Sequence, residues 1–93
     1  MWWQPEHFKA KRQNLEKRAE IIKSTRSWFE GQGFTEVQTP VLQIMASPDT
    51  HIHAFETMQI GRNLKAKATL GLHTSPEIAM KKLLVAGMDK FYQ

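Results

Sequence analysis

Cysteine is absent from this 93-residue sequence, so the chain can form neither a disulfide nor a thiolate metal site. It contains no apolar run near the roughly 20 residues that cross a bilayer, and its first residues lack the basic-then-apolar order of a secretory signal. Glycine-rich phosphate loops, G-x-S-x-G and helices with paired metal-binding histidines are also missing. We therefore expect a soluble, cytoplasmic protein of at most one small domain.

The net charge of +4 comes largely from a basic excess between Lys9 and Lys23. Glu16 and Glu20 interrupt that run, and no aromatic residue is interleaved with it. A solvated helix face is the simpler interpretation. The alternative is a small basic RNA-binding domain, whose affinity would depend steeply on salt.

The first half of the chain has the pattern of a long helix followed by a strand. Residues 1–8 are expected to be an irregular arm, and residues 11–31 a helix with one apolar stripe: Leu15, Ala19, Ile22, Thr25 and Phe29. Gly31-Gln32-Gly33 should end the helix, because glycine adopts the left-handed closing conformation without steric cost. Residues 34–39 then alternate as a strand, which Pro40 stops.

The second half predicts a hairpin and a short helix. A loop is expected over residues 43–53, with a turn signature at Ser47-Pro48-Asp49. Strands over 55–60 and 64–74 would pair around residues 61–63. The last helix has two apolar faces, both of which need cover, and ends at Gly87. Residues 91–93 resemble a strand with no partner to complete it.

The junction between the second strand of the hairpin and the last helix carries the most chemistry. Thr74-Ser75-Pro76-Glu77 places two hydroxyls and a carboxylate where the helix begins, beside free backbone N–H groups. Thr74 and Glu77 have the spacing of a capping box, which is the favoured local interpretation. The functional alternative is that Glu77 receives the ammonium group of a ligand.

Three histidines could hold a metal or orient a ligand. His51 and His53 face the same way on an extended chain, but no third ligand has a suitable spacing. His73 lies beside Thr74 on the predicted strand. Structural roles are the simpler interpretation for all three, and no metal site is predicted.

Taken together, three stretches resemble the start of a class II aminoacyl-tRNA synthetase catalytic domain of the lysyl subclass. The helical stretch Leu15–Phe29, followed by Gly33-Phe34-Thr35-Glu36-Val37-Gln38-Thr39-Pro40, is similar to motif 1 of that class. His53-Ala54-Phe55-Glu56-Thr57 is similar to the segment that begins the next strand. Residues 74–77 with 81–87 resemble the amino-acid-binding turn and the helix behind it.

The resemblance implies an α+β fold, the N-terminal part of a synthetase-type antiparallel sheet with flanking helices. On this resemblance, residues 1–93 would form part of a catalytic domain. The motif 1 helix and strand would lie at about 11–40, the hairpin at about 54–74, and the amino-acid-binding turn with its helix at 74–87. It also implies substrate contacts from Ser75, Pro76 and Glu77. Because motif 1 lies at the dimer interface in this class, it implies homodimer contacts from Trp28, Phe29, Phe34, Val37 and Pro40.

Within the subclass, the layout is similar to a paralogue group without the anticodon-binding domain, since the motif 1-like helix follows within about a dozen residues of Met1. That group uses ATP and Mg²⁺ to activate lysine or β-lysine and transfers it to a lysine of elongation factor P, a tRNA acceptor being less expected. Motifs 2 and 3, whose arginines serve catalysis in that family, do not occur in residues 1–93. This chain alone is therefore expected to be inactive, and no catalytic residue is assigned. The alternative is a non-catalytic dimerisation or interaction module derived from the same fold.

Overall fold

The computed structural model describes residues 1–44, 46 and 50–93. Along the chain lie α1 (Pro5–Gly31), β1 (Thr35–Glu36), β2 (Leu42–Gln43), β3 (Glu56–Ile60), β4 (Ala66–Leu72), α2 (Glu77–Val85) and β5 (Phe91–Tyr92). The α+β prediction is therefore confirmed. The chain divides into two compact units, residues 1–36 with 90–92 and residues 37–89 with 93. Neither described helix combines the length and hydrophobicity needed to cross a membrane.

Helix α1 begins at Pro5, so the expectation of an irregular arm over residues 1–8 is wrong for its second half. Proline suits the first turn of a helix, where its missing N–H costs nothing, and Glu6 adds a favourable charge there. The Gln4 carbonyl accepts hydrogen bonds from the N–H groups of His7 (3.0 Å) and Phe8 (2.8 Å). The aromatic residues of the arm do gather at this end, with Trp2 lying 5.8 Å from Trp3 between ring centroids.

Helix α1 ends where the Gly31-Gln32-Gly33 pattern predicts. Gly33 has a φ of +83°, and its N–H donates to the Glu30 carbonyl at 2.9 Å. The Phe34 N–H reaches back to the Phe29 carbonyl at 3.0 Å. These two bonds form a Schellman motif, and the rings of Phe29 and Phe34, 5.5 Å apart, supply the hydrophobic contact that accompanies it.

Strand β1 is shorter than the predicted strand over 34–39, and it has an unpredicted partner. Thr35 pairs with Phe91 and Glu36 with Tyr92 in a parallel, two-stranded sheet. The strand at the aromatic C-terminal run therefore pairs with β1, contrary to the expectation that it lacks a partner. Among the described residues, β1 and β5 form a sheet of their own, separate from the antiparallel sheet.

The Tyr92 ring stacks on Phe29 with centroids 4.4 Å apart, and Arg26 contacts both Glu36 carboxylate oxygens at 2.9–3.0 Å.

The second unit contains an antiparallel sheet in the order β2-β4-β3. Strands β3 and β4 form the hairpin that the alternation predicts, with Glu56 opposite Gly71 and a register shift between Gln59 and Ile60. Strand β2 is not predicted by the sequence, because two residues within an expected loop carry too little pattern. The turn signature at 47–49 lies outside the described residues.

Side-chain burial is limited in both units. None of the described hydrophobic residues is buried; the buried positions are Thr39, at 8% exposure, and Gly71. Thr39 is held by Gln93, whose Oε1 accepts from the Thr39 hydroxyl (2.8 Å) and N–H (3.0 Å). The stripe predicted on α1 is not covered either: Leu15 is 51% exposed, while Ile22 and Phe29 are half-buried. The contacts of α1 with strand β1 lie at the C-terminal end of the helix, where Arg26 pairs with Glu36.

Candidate functional site

The candidate site is the turn that joins β4 to α2. The N–H of His73 donates to the Val41 carbonyl (2.8 Å), and that of Thr74 to the Ala46 carbonyl (3.0 Å). These bonds fix the backbone just beyond the end of β4. The Pro76 carbonyl accepts the first helical bond, from Met80 at 2.9 Å. Ser75 and Glu77 are exposed here and Pro76 is half-buried, so the turn presents its hydroxyl and carboxylate outward.

The predicted capping box is wrong. Helix α2 begins at Glu77 with Pro76 as N-cap, and among the described residues no side chain makes a cap hydrogen bond at that position. A Thr74 cap would require the helix to begin at Ser75, two residues earlier than observed. The Ser75 Oγ instead accepts a hydrogen bond from the Glu77 N–H at 3.2 Å.

The Glu77 carboxylate pairs with the Lys81 ammonium one helical turn later. Oε1 lies 2.7 Å from Nζ, and the two side chains are 62% and 64% exposed. The hydrogen bond from Lys81, followed by its charge, lowers the pKa of Glu77 below its ordinary value. The carboxylate is therefore ionised at neutral pH, faces solvent, and already accepts a primary ammonium group. An exposed pair of this kind is weak, so a ligand ammonium can compete for the same oxygen.

A concavity of about 520 Å³ lies elsewhere in the second unit, against the hairpin. Its lining includes the side chains of His53, Glu56 and Thr69, and its surface is more polar than apolar. Glu77 is not among the lining residues. Gly71 forms part of its wall, and a Cβ there would collide with the Ala46 methyl, so this position requires glycine.

The histidines do not assemble a metal centre within the described part of the chain. Residues 1–44, 46 and 50–93 hold no group of three or more His, Asp or Glu side chains suited to a cation. His51 and His53 are exposed. The Nδ1 atom of His73 is buried and finds no hydrogen-bond partner among the described residues.

The residues proposed for a dimer interface have unequal exposure. Trp28 is 61% exposed and Pro40 is exposed, so both can meet a partner. Phe29, Phe34 and Val37 are half-buried. Phe29 already packs on Phe34 and Tyr92, which leaves less of its ring for a second chain.

Sequence reasoning missed Lys81 as the partner of Glu77. The signal was present, because glutamate four residues before lysine on a helix is the favoured orientation for such a pair. It also missed Gln93, which lies 54 residues from the Thr39 it contacts. No local pattern could have predicted that contact.

Comparison with known proteins places the chain in a family. The family model for class II tRNA synthetases (D, K and N) matches residues 7–93. Similar curated proteins include the elongation factor P–(R)-β-lysine ligases of Photobacterium profundum, 38% identical, Hamiltonella defensa, 40%, and Histophilus somni, 42%. Each match covers 98% of this chain and 27% of the relative, so the chain spans about a quarter of those proteins. The chain belongs to the class II tRNA synthetase family that comprises the D, K and N enzymes.

Proposed function

We propose that this chain is the N-terminal part of an ATP-dependent ligase. The complete enzyme would adenylate lysine or β-lysine and transfer it to a lysine of elongation factor P, with tRNA a less expected acceptor. The relatives named as elongation factor P–(R)-β-lysine ligases support this, since their similarity extends over 98% of the chain. A homodimer, a cytoplasmic location and the assembly of these strands into a synthetase-type sheet are parts of the same proposal.

The proposal depends on one observation, the exposed and ionised Glu77 carboxylate that already accepts a primary ammonium. Lysine and β-lysine carry the same group, so Glu77 would bind a substrate ammonium in place of Lys81. Ser75 Oγ and the backbone around Pro76 would border the amino acid. A charge-assisted contact gains strength where water is excluded, and Glu77 is 62% exposed here. Another part of the complete enzyme, or a partner protein, would have to exclude water from the Glu77 carboxylate.

ATP and Mg²⁺ are assigned to the complete enzyme and not to these residues. Mg²⁺ usually keeps several waters and binds one or two carboxylates together with substrate phosphates. The described residues hold no group of three or more His, Asp or Glu side chains suited to a cation, and we assign no Mg²⁺ ligand among them. We predict that the isolated 93-residue chain shows no ATP–pyrophosphate exchange with lysine or β-lysine; exchange clearly above the blank would contradict this.

The binding role of Glu77 can be tested without catalysis. Chemical-shift titration with β-lysine and with lysine should perturb the backbone amide signals of Thr74, Ser75, Glu77 and Ile78 in the wild-type chain. Glu77→Gln should remove the perturbation, because the amide cannot pair with an ammonium as a carboxylate does. Glu20→Gln is the matched control, since it removes one exposed charge from α1. Equal titration of the wild type and Glu77→Gln would contradict the assignment.

The alternative is a non-catalytic dimerisation module, and exposed apolar side chains favour it. Trp28 is 61% exposed and Val85 on α2 is 90% exposed. A tight dimer in sedimentation experiments, with no response to either amino acid, would favour this module over the ligase.

A further inference from the structure

The N-terminal half of α1 carries a groove that the proposed function does not use. About 430 Å³ of space is lined by Trp2, Lys11, Asn14, Leu15 and Arg18, all within the first unit. The surface of the groove is mostly apolar, and Trp2 and Leu15 are 56% and 51% exposed. Lys11 and Arg18 are its two cationic lining residues. The Lys11 ammonium lies 5.2 Å from the centre of the Trp2 ring, within the range of a cation–π contact.

The two sides of α1 differ in their charged residues. At 3.6 residues per turn, Lys11, Leu15, Arg18 and Ile22 share one side of the helix, which carries no acidic residue. The opposite side carries both signs of charge: Glu6, Glu16 and Glu20 with Lys9, Lys17 and Lys23. Of the ion pairs among described residues, Arg12–Glu16 is the one that lies within α1, and neither Lys11 nor Arg18 takes part in it. The groove therefore combines an apolar surface with two cations, and no acidic residue on the same side of α1 pairs with either of them.

This combination sets the chemistry of a ligand. Lys11 and Arg18 are seven residues apart, or about 10 Å along the helix axis, and Leu15 lies between them. A complementary segment would present two carboxylates about 10 Å apart with an apolar side chain between them. A helix with acidic residues at positions i and i+7 and leucines at i+3 and i+4 has this arrangement.

The surroundings of Trp2 favour such a segment over single-stranded RNA. RNA would need an open aromatic face on which a base can stack. Lys11 lies over the Trp2 ring, Trp3 meets it edge-on at an interplanar angle of 86°, and Phe8 lies 6.4 Å away. These groups cover part of the ring, so less of its face is open to a base, while the exposed remainder can still contact an aliphatic side chain. An aliphatic floor at Leu15 also suits a side chain better than a base.

We propose that this groove is a docking surface for an acidic, leucine-containing segment of a partner protein. Lys11 and Arg18 bind the two carboxylates, and Trp2 and Leu15 receive the apolar side chain. The inference rests on the geometry of α1 and does not depend on the role of Glu77.

The test uses a fluorescently labelled helical peptide of the pattern Glu-x-x-Leu-Leu-x-x-Glu and measures its anisotropy with the full chain. Lys11→Gln/Arg18→Gln should weaken binding by about tenfold, because two charge-assisted contacts are lost. Lys9→Gln/Lys17→Gln removes the same charge from the opposite side and should leave the affinity within about twofold. All four positions are exposed, and circular dichroism checks that α1 stays helical.

Two further measurements separate the other ligands. A peptide with both glutamates replaced by glutamine should bind about tenfold more weakly, and a labelled oligouridylate should not compete with the acidic peptide. Four results would overturn the proposal: no peptide binding, equal loss in the two double variants, tighter binding of oligouridylate than of peptide, or self-association that Lys11→Gln/Arg18→Gln abolishes. The last two would assign the groove to RNA or to a second copy of the chain.

Discussion

The C-terminal end of α1 and the N-terminal end of α2 differ in what surrounds their side chains. At the first, Phe29 packs between Phe34 and Tyr92, with ring centroids 5.5 and 4.4 Å away. At the second, Glu77 is 62% exposed and contacts a single exposed lysine. Packed aromatic contacts stabilise the fold, whereas the exposed carboxylate contributes little to it and stays available to a ligand. Substitutions at the two ends should therefore separate stability from binding.

The largest effect is expected at Phe29. Replacing it with alanine removes the stack on Tyr92 and the edge contact with Phe34. Because the side chain is half-buried, the expected loss is about 2 kcal/mol of the free energy of unfolding, below the ~3–5 kcal/mol for a fully buried phenylalanine. Urea denaturation followed by circular dichroism measures it. Trp28→Ala removes a ring that is 61% exposed and meets Phe29 edge-on at 5.0 Å between centroids; it should cost less than half as much, because the stack of Phe29 on Tyr92 is kept. Equal losses would mean that the stack contributes no particular stability.

The two helix C-termini provide the next test, because both use glycine in the left-handed region. Gly33 has a φ of +83° and Gly87 a φ of +104°, and the Met88 N–H repeats the Schellman bond by donating to the Leu83 carbonyl at 3.0 Å. Alanine at either position should cost about 1 kcal/mol in urea denaturation, since its Cβ is strained at positive φ.

Gly31→Ala is the matched control for these variants. Gly31 lies in the last turn of α1 without a positive φ, and a Cβ added there would meet no atom within 4 Å. Alanine there should be neutral or stabilising, by up to about 1 kcal/mol. A loss at Gly31 equal to that at Gly33 would show that backbone conformation is not the cause.

Features encoded by neighbouring residues could be predicted from the sequence. Both helix C-termini follow from glycine placement, and the hairpin follows from the alternation over residues 55–74 with a turn at 61–63. The parallel pairing of β1 with β5 could not be predicted, because Thr35 and Phe91 are 56 positions apart and each strand has two residues. The predicted start of α1 is wrong because Pro5, which also suits an irregular arm, is here the first helical residue.

The candidate site was only partly accessible to sequence reasoning. The resemblance singled out Ser75, Pro76 and Glu77, and the structure has them together at the start of α2, with Ser75 and Glu77 exposed. Local rules favoured a capping box and overlooked Lys81, because two local interactions competed for the same carboxylate. The orphaned Nδ1 of His73 depends on tertiary packing, which no sequence pattern reports.

A smaller effect is expected in the titration of Tyr92. Burial, followed by the negative charges of Glu36 and Glu30, raises the pKa of its phenol above the ordinary value. The folded chain thus holds the proton more tightly, so this stability is present below the unfolded pKa and is lost as the pH rises through the folded pKa. Tyr92 is the only tyrosine in the sequence, so tyrosinate absorbance reports on it alone. Glu36→Gln should lower the midpoint without abolishing the shift, because burial is the larger cause. Glu20→Gln should leave the midpoint unchanged.

The smallest effect is expected for the pair between Glu77 and Lys81. Because Lys81 lowers the pKa of Glu77, the stabilisation is present above the unfolded pKa and is lost as the pH falls through the folded pKa. Lys81→Gln should raise the Glu77 midpoint in an NMR pH titration, whereas Lys82→Gln, at the adjacent position, should change it less. If Lys81 occupies the oxygen that a substrate ammonium needs, Lys81→Gln should also strengthen the binding of β-lysine in the chemical-shift titration. Glu77→Gln should remove that binding. If the Glu77 midpoint does not move in Lys81→Gln, this lysine does not hold the carboxylate in solution. If Lys81→Gln binds β-lysine more weakly than the wild type, Lys81 assists the ligand instead of competing with it.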